Sequence, residues 1–289
     1  MQELSLNDVF KILKKRKSES NKGDYGTLLN ICGSAYYRGA AQLSSLGALR
    51  TGVGILRVAS TERVIAPLCS NIPEAVFLPL PEGERGEIDG FDAKSYFKDF
   101  PKTNAVLCGC GLTTFGNTPR LVSDLTENAP CPIVLDADAL NCVSEDTDIL
   151  LKAKSEIVIT PHIGEFARLC GVGASDISSD PVKYGEEFTR RYRVVLVLKS
   201  NITRIFSGNG MFVSRYGNPG LARGGSGDIL AGMTASFMAQ GYSAADAAKA
   251  AVVLHGAAAD MTAKRLSMQG MLPHDIIYDL CEIFKKEGY

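Results

Sequence analysis

The sequence lacks an excess of charge of either sign. Its 31 Lys and Arg against 32 Asp and Glu leave a formal net charge of -1 over 289 residues. That gives no electrostatic footprint for a nucleic acid and fits a small partner better than a polyanion. The one dense basic run, Lys14-Lys15-Arg16-Lys17, reads as a solvated helix end. Long apolar runs are missing too. The longest uncharged stretch, Ile229 to Ala245, is broken by Gly, Ser, Thr and Gln and reads as a buried helix rather than a membrane span. The N-terminal stretch MQELSLNDVFKILKKRKSES carries charge where a secretion signal needs an unbroken apolar core, so a cytoplasmic protein is expected. No segment has the Walker pattern of glycine, four residues, Gly-Lys and Ser or Thr, and Gly109-Cys110-Gly111 lacks the third glycine of a dinucleotide fingerprint. Linkers, internal repeats and low-complexity segments are absent. The 8 cysteines are scattered through apolar segments, with neither the spacing of a disulfide framework nor two metal-binding pairs, which points to reduced thiols.

What is present is a series of short apolar runs rich in Val, Ile and Leu: TLLNICG, GILRVAS, AVFLPL, AVLCGCG, PIVLDA, EIVIT and VVLVLK, with room for a helix between them. Continuous apolar strands separated by crossover helices predict an α/β fold with a mostly parallel central sheet covered by helices on both faces. In ITRIFSGNGMFVSRYG, Ser207-Gly208-Asn209-Gly210 separates two strand-like pieces, a hairpin expected to close one edge of the sheet. Helices are expected over Gly227 to Gln240, Ser243 to Arg265 and His274 to Lys286. One domain over residues 1–289 is expected, residues 1–20 forming a helical appendage.

Ligands of open α/β sheets bind beyond the carboxyl ends of the strands, so the residues after each run are the candidates. In GSAYYRGA, the small residues Gly39, Ala40 and Ala41 either let backbone approach a ligand or pack a helix tightly. Gly111 supplies a turn at a strand end. Asp136 and Asp138 follow a strand; both turn toward the site, or Asp138 caps the next helix. In ITPHIGEFARL, His162 and Glu165 share the face of a starting helix. His162 is one of only 3 histidines, the others being His255 and His274. It is either functional or a satisfied structural residue, and Glu165 has the plain role of a first-turn acid favoured by the helix dipole. Lys199 ends an apolar strand, where an ammonium needs an anion or water. In GNPGLARGGSGD, Gly224, Gly225 and Gly227 precede and enter a helix, so their N–H groups can converge on a phosphate. Asp228 in that first turn either caps the helix or accepts a proton from a hydroxyl that attacks the phosphate.

Together GSAYYRGA, VLDADALN, ITPHIGEFARL, VLVLKSNIT, and GNPGLARGGSGDILAGM followed by AQG, in order between Lys22 and Asp275, resemble the motifs of the NAD(P)H-hydrate dehydratase family of the ribokinase-like fold. The resemblance implies an enzyme that restores (S)-NADHX or (S)-NADPHX to NADH or NADPH. ADP or ATP is spent to AMP or ADP and phosphate, with Mg2+ as cofactor. It implies that Ala40, Gly111, His162 and Asp228 contact the hydrated dinucleotide, and that Lys199, Ser200, Asn201, Ile202, Thr203 and Gly227 hold the adenine nucleotide. Asp228 would be the base, Gly224, Gly225 and Gly227 the anion hole, and Asp136 and Glu165 would position magnesium through water. It further implies a homo-oligomer, a tetramer, without the epimerase domain that many relatives carry. Ser200 stands where relatives usually have glycine, Arg223 where a small residue or Thr is usual, and Pro273-His274 where Ala-Ser or Ala-Thr is usual, so the choice between ADP and ATP stays open. The rival inside the fold is a kinase of a vitamin precursor of the hydroxyethylthiazole or hydroxymethylpyrimidine type; outside catalysis it is a nucleotide sensor on the same scaffold.

Overall fold

The structure, a computed structural model, describes residues 1–289. Ten strands form one sheet: β1 (Gln2–Glu3), β2 (Thr27–Ile31), β3 (Ile55–Thr61), β4 (Val76–Leu80), β5 (Ala105–Cys108), β6 (Ile133–Leu135), β7 (Ile157–Ile159), β8 (Val195–Leu198), β9 (Thr203–Ser207) and β10 (Gly210–Ser214). Their order is β1-β10-β9-β8-β7-β6-β5-β2-β3-β4. From β4 to β8 every pairing is parallel, and only the two flanking β9 are antiparallel. All seven apolar runs became strands. Burial on both faces explains why the central ones read as near-continuous apolar segments: Leu28 and Leu107 point into one core and Leu29 and Val106 into the other, whereas the edge strand β4 is only partly buried.

Between β2 and β5 the strand order reverses, since the chain builds outward through β3 and β4 before returning. The loops after these two strands meet there, the Gly33 N–H donating to the Cys110 carbonyl at 2.8 Å, at the carboxyl ends of the strands, the place where such sheets take ligands. One face of the sheet is covered by helices Arg38–Thr51, Ser226–Ala239 and Ala244–Leu266, the other by Thr118–Asn128, Ile163–Cys170 and Pro181–Tyr192. The Arg38–Thr51 and Ser226–Ala239 helices pack backbone to backbone, because a Cβ on Gly232 would lie 2.0 Å from the Ser44 carbonyl oxygen. Tight packing therefore accounts for the small residues in the middle of the first of these helices.

Two expectations need correction. The β9–β10 hairpin forms but does not close the edge, because β1 pairs in parallel outside β10. Residues 1–20 do not form a helical appendage. The helix runs only from Leu6 to Ile12, held by a Ser5–Asp8 capping box. Leu4, Val9 and Leu13 are buried, and the Tyr289 hydroxyl donates to the Leu13 carbonyl at 2.8 Å, so the segment up to Leu13 packs on the main core while residues 14–20 are exposed. The basic run follows that helix, with Arg16 donating to the Gly52 carbonyl and lying over the Tyr25 ring. All 8 cysteines are free, and no helix is long and apolar enough to cross a membrane.

Candidate active site

The carboxyl ends of β2, β5, β6, β7 and β8 and the first turn of the Ser226–Ala239 helix meet in one place. Asp136 leaves β6 with 1% exposure. Its Oδ1 accepts from the Thr160 hydroxyl at 2.7 Å and from Lys199 Nζ at 2.9 Å. Lys199 leaves β8, anchored by its own N–H on the Pro161 carbonyl at 2.9 Å and paired across to His162 in an isolated bridge. Burial works against its charge, but the carboxylates of Asp136 and Glu165 outweigh that and hold the ammonium above its ordinary pKa. The lysine therefore meets carboxylates first.

Asp228 is the third residue of its helix. Burial, and then the charge of Asp136, push its carboxyl up to about 7, although the Cys110 thiol and Lys199 pull the other way. Cys110, Asp136 and Asp228 each bring a ligand atom within 4.8 Å of the others. A carboxyl in this range is half ionised near neutral pH, which suits a general base.

Beside it the glycine turn is open. Gly225 is the N-cap at φ 100°, a left-handed conformation that glycine adopts without strain, and it offers no capping side chain. The N–H groups of Gly224, Gly225, Gly227 and Asp228 bond no backbone carbonyl. Gly227 also leaves space for the lysine, since a Cβ there would lie 3.2 Å from Lys199 Nζ. Asp228 makes no capping bond, so of its two readings the plain cap is excluded.

Next to Cys110, Gly111, at φ 66°, lies against Tyr37 and Ala40: an added Cβ would come 2.6 Å from Tyr37 Cβ and 2.8 Å from Ala40 Cβ. This brings the two expected dinucleotide contacts together. Asp138 is not a cap either; it opens its helix and accepts from the Thr113 N–H at 2.8 Å.

His162 is the N-cap of the Ile163–Cys170 helix. Its Nδ1 accepts from the N–H groups of Gly164 and Glu165 at 3.0 and 3.2 Å, and Glu165 Oε2 accepts from the His162 N–H at 2.8 Å. The histidine thus has a structural task, yet its side chain stays 56% exposed. Ser200 and Asn201 lie on an exposed turn where the Ser200 hydroxyl donates to the Ile202 carbonyl at 2.6 Å, and Ile202 and Thr203 lead into β9 half-buried. No hydrogen bond ties these four to the acid cluster. Arg223 donates to the Gln269 carbonyl at 2.8 Å. Cys110 was missed from the sequence: its thiol lies 3.9 Å from Asp136 Oδ2, and the only signal was its place between two glycines at a strand end.

The fold and this site define a ribokinase-like α/β protein with an uncapped, glycine-rich helix start beside an acid. The chain belongs to the NAD(P)H-hydrate dehydratase family, whose model matches residues 28–281. It is 33% identical to the ADP-dependent (S)-NAD(P)H-hydrate dehydratase of Bacillus subtilis over 95% of this chain and 94% of that one. A crystal structure of the ADP/ATP-dependent NAD(P)H-hydrate dehydratase from Bacillus subtilis, co-crystallised with ATP/Mg2+, superimposes with a TM-score of 0.82 at 30% identity, covering 97% of this chain and 96% of that one. The chain spans about half the length of the bifunctional NAD(P)H-hydrate repair enzymes it matches, being 33% identical over 92% of its own length and 50% of the relative in Moorella thermoacetica. Hydroxyethylthiazole kinase from Pyrococcus horikoshii, at 16% identity and a TM-score of 0.58 over 92% of this chain and 89% of that one, shares the fold alone.

Proposed function

We propose that this chain dehydrates (S)-NADHX and (S)-NADPHX to NADH and NADPH, spending ADP or ATP. Hydroxide is a poor leaving group and phosphate a good one, so the ring hydroxyl is phosphorylated first. Asp228 takes the hydroxyl proton as the oxygen attacks the terminal phosphorus, and the bond from that phosphorus to its bridging oxygen breaks, releasing AMP from ADP or ADP from ATP. Charge developing on the phosphoryl oxygens meets the unpaired N–H groups of Gly224, Gly225 and Gly227 and the Lys199 ammonium. The carbon–oxygen bond of the ester then breaks with loss of a proton from the neighbouring carbon, which restores the ring double bond. The observation that carries this reading is Asp228, an acid at about 7, three residues into a helix whose N–H groups are unspent.

Ala40, Gly111 and His162 contact the hydrated dinucleotide in this reading, and Lys199 to Thr203 with Gly227 hold the adenine nucleotide. Asp136 and Glu165, the two carboxylates that act on Lys199, would hold a Mg2+ ion through water. Magnesium would draw charge from the transferring phosphate. The protein works as one unit over residues 1–289, in the cytoplasm and as a homo-oligomer, a tetramer.

Hydrated NADH supplied with ADP, and separately with ATP, tests the reading by the return of reduced-nicotinamide absorbance. Recovery with neither nucleotide refutes it, and a stable phosphorylated product from a thiazole or pyrimidine alcohol would put the kinase in its place.

A further inference from the structure

The mechanism leaves a cluster of exposed rings unused. Tyr36 is 67% exposed and Tyr37 56%, although the residues before them at the end of β2 are buried. Large rings left in water beside a strand end mark a surface that a ligand covers.

Three loops build that surface. The loop after β4 folds back on itself, Glu82 bridging to Ile88, and its tip docks on the loop after β2, the Ala35 N–H donating to the Gly86 carbonyl at 2.8 Å. A Cβ on Gly86 would collide with that of Ala35, so the approach needs glycine. Glu87 fixes the tip from within. It is buried, its Oε2 accepts the Arg85 N–H at 3.0 Å, and Gly116, in the loop after β5, leaves room for its carboxylate. Arg85 thereby lies over Phe115, its guanidinium carbon 3.4 Å from the ring centroid, and Tyr36 meets the same ring edge-on with 6.5 Å between centroids. Arg38 donates from Nε to the Ala35 carbonyl at 3.2 Å, and neither arginine enters any ion pair of the chain. Both charges are free for an anion.

The strand order says which ligand belongs here. Lys199 to Thr203, the nucleotide residues of the reading above, lie at β8 and β9, whereas these loops follow β2, β4 and β5 on the other side of β6. A continuous path joins them to the base: Cys110 lies with Asp136 beside Asp228, Gly111 comes next and lies against Tyr37, and Tyr36 precedes Tyr37. A dinucleotide whose ring reacts at Asp228 and passes Gly111 brings its other half, an adenosine carrying phosphates, to these rings and arginines.

We propose that Tyr36, Phe115 and Arg85 seat the adenosine half of the hydrated dinucleotide, the adenine stacking on the rings and the Arg85 guanidinium pairing with a phosphate oxygen of that half. This inference rests on the dehydratase reading. The adenosine end does not react, so its contacts are equal in the ground and transition states and are read in KM rather than kcat.

The test compares the full-length wild type with Arg85→Gln and Tyr36→Ala. It measures kcat and KM for hydrated NADH and hydrated NADPH with saturating ADP, ADP affinity by calorimetry, and mass by light scattering. The expected result is a KM raised about 10- to 100-fold in Arg85→Gln and about 5- to 50-fold in Tyr36→Ala, with kcat within about threefold and ADP affinity unchanged. An equal rise for both substrates places the guanidinium on the pyrophosphate, and a rise confined to hydrated NADPH places it on the 2′-phosphate. Unchanged KM for both substrates overturns the proposal. So does a rise in KM that comes with a lower mass, because the surface is then covered by a second copy of the chain. Wild type that restores neither NADH nor NADPH ends the dehydratase reading alone. The seat is then judged by calorimetry with NAD+ and NADP+, at least one of which must bind wild type and bind Arg85→Gln about 10-fold or more weaker, or the inference fails as well.

Discussion

Two helices start at this site with the same arrangement, a cap residue followed three positions later by an acid: His162 with Glu165, and Gly225 with Asp228. In the first the arrangement closes on itself. The histidine ring takes the helix N–H groups, and the acid takes the histidine's own N–H. In the second the cap has no side chain, so the Gly227 and Asp228 N–H groups bond no carbonyl and the acid lies beside Cys110 and Asp136 instead. The comparison teaches that leaving out the cap is what gives a helix start the features of an anion site. One missing side chain leaves the N–H dipoles free for phosphate and the carboxylate free to change its protonation state.

The largest expected effect comes from removing the charge of the open acid. Asp228→Asn should lower turnover by about 100-fold or more while ADP still binds, since only the base is lost; steady-state kinetics beside ADP calorimetry check this, and unchanged turnover would contradict the assignment. Closing the open helix start comes next. Gly225→Ser adds a side chain at φ 100° and 2.5 Å from Leu43, so it should cost about 1–3 kcal/mol in chemical denaturation and weaken ADP binding.

The wild-type pH profile sharpens the contrast further. The base must be ionised, so kcat/KM should rise tenfold per pH unit below about 7 and level off above it, and Asp228→Asn should lack that limb. The stability sign follows from the same shift. Unfolded, this carboxyl releases its proton near 3.8, whereas folded it keeps it to about 7. The folded state therefore binds more protons across that window, and stability falls as pH rises through it. Melting curves from pH 4 to 7 should show a smaller decline in Asp228→Asn than in wild type. The smallest effect belongs to the closed helix start. His162→Ala removes an N-cap and should cost about 1 kcal/mol, read as a lower denaturation midpoint.

Much of this was legible in the residues. All seven apolar runs are strands, most of them buried on both faces and the edge strand β4 only partly so, and the three C-terminal helices lie within a few residues of their expected bounds. Asp136 and Lys199 stood out because charge at the end of an apolar run has few places to go, and Asp228 because it follows a glycine-rich helix start. Less legible was anything that depended on which strand lies beside which. That Lys199 pairs with Asp136, 63 positions away, has no local signal. Nor does β1 lying outside β10, which turned an expected appendage into part of the core. Cys110 was passed over for the same reason: it looks like an ordinary buried residue until the elements facing it are known.

From its own residues the chain determined the strands, the helix start rich in glycine and the acid in its first turn, because turn chemistry and burial periodicity act over a few neighbouring positions. Only the tertiary structure decided that this acid is no cap, that Asp136 and a lysine stand beside it, and that its proton affinity moves to near neutrality. The reason is the reach of the forces involved. Desolvation and the repulsion between carboxylates depend on distances across the sheet, and those exist only once the strands have chosen their neighbours.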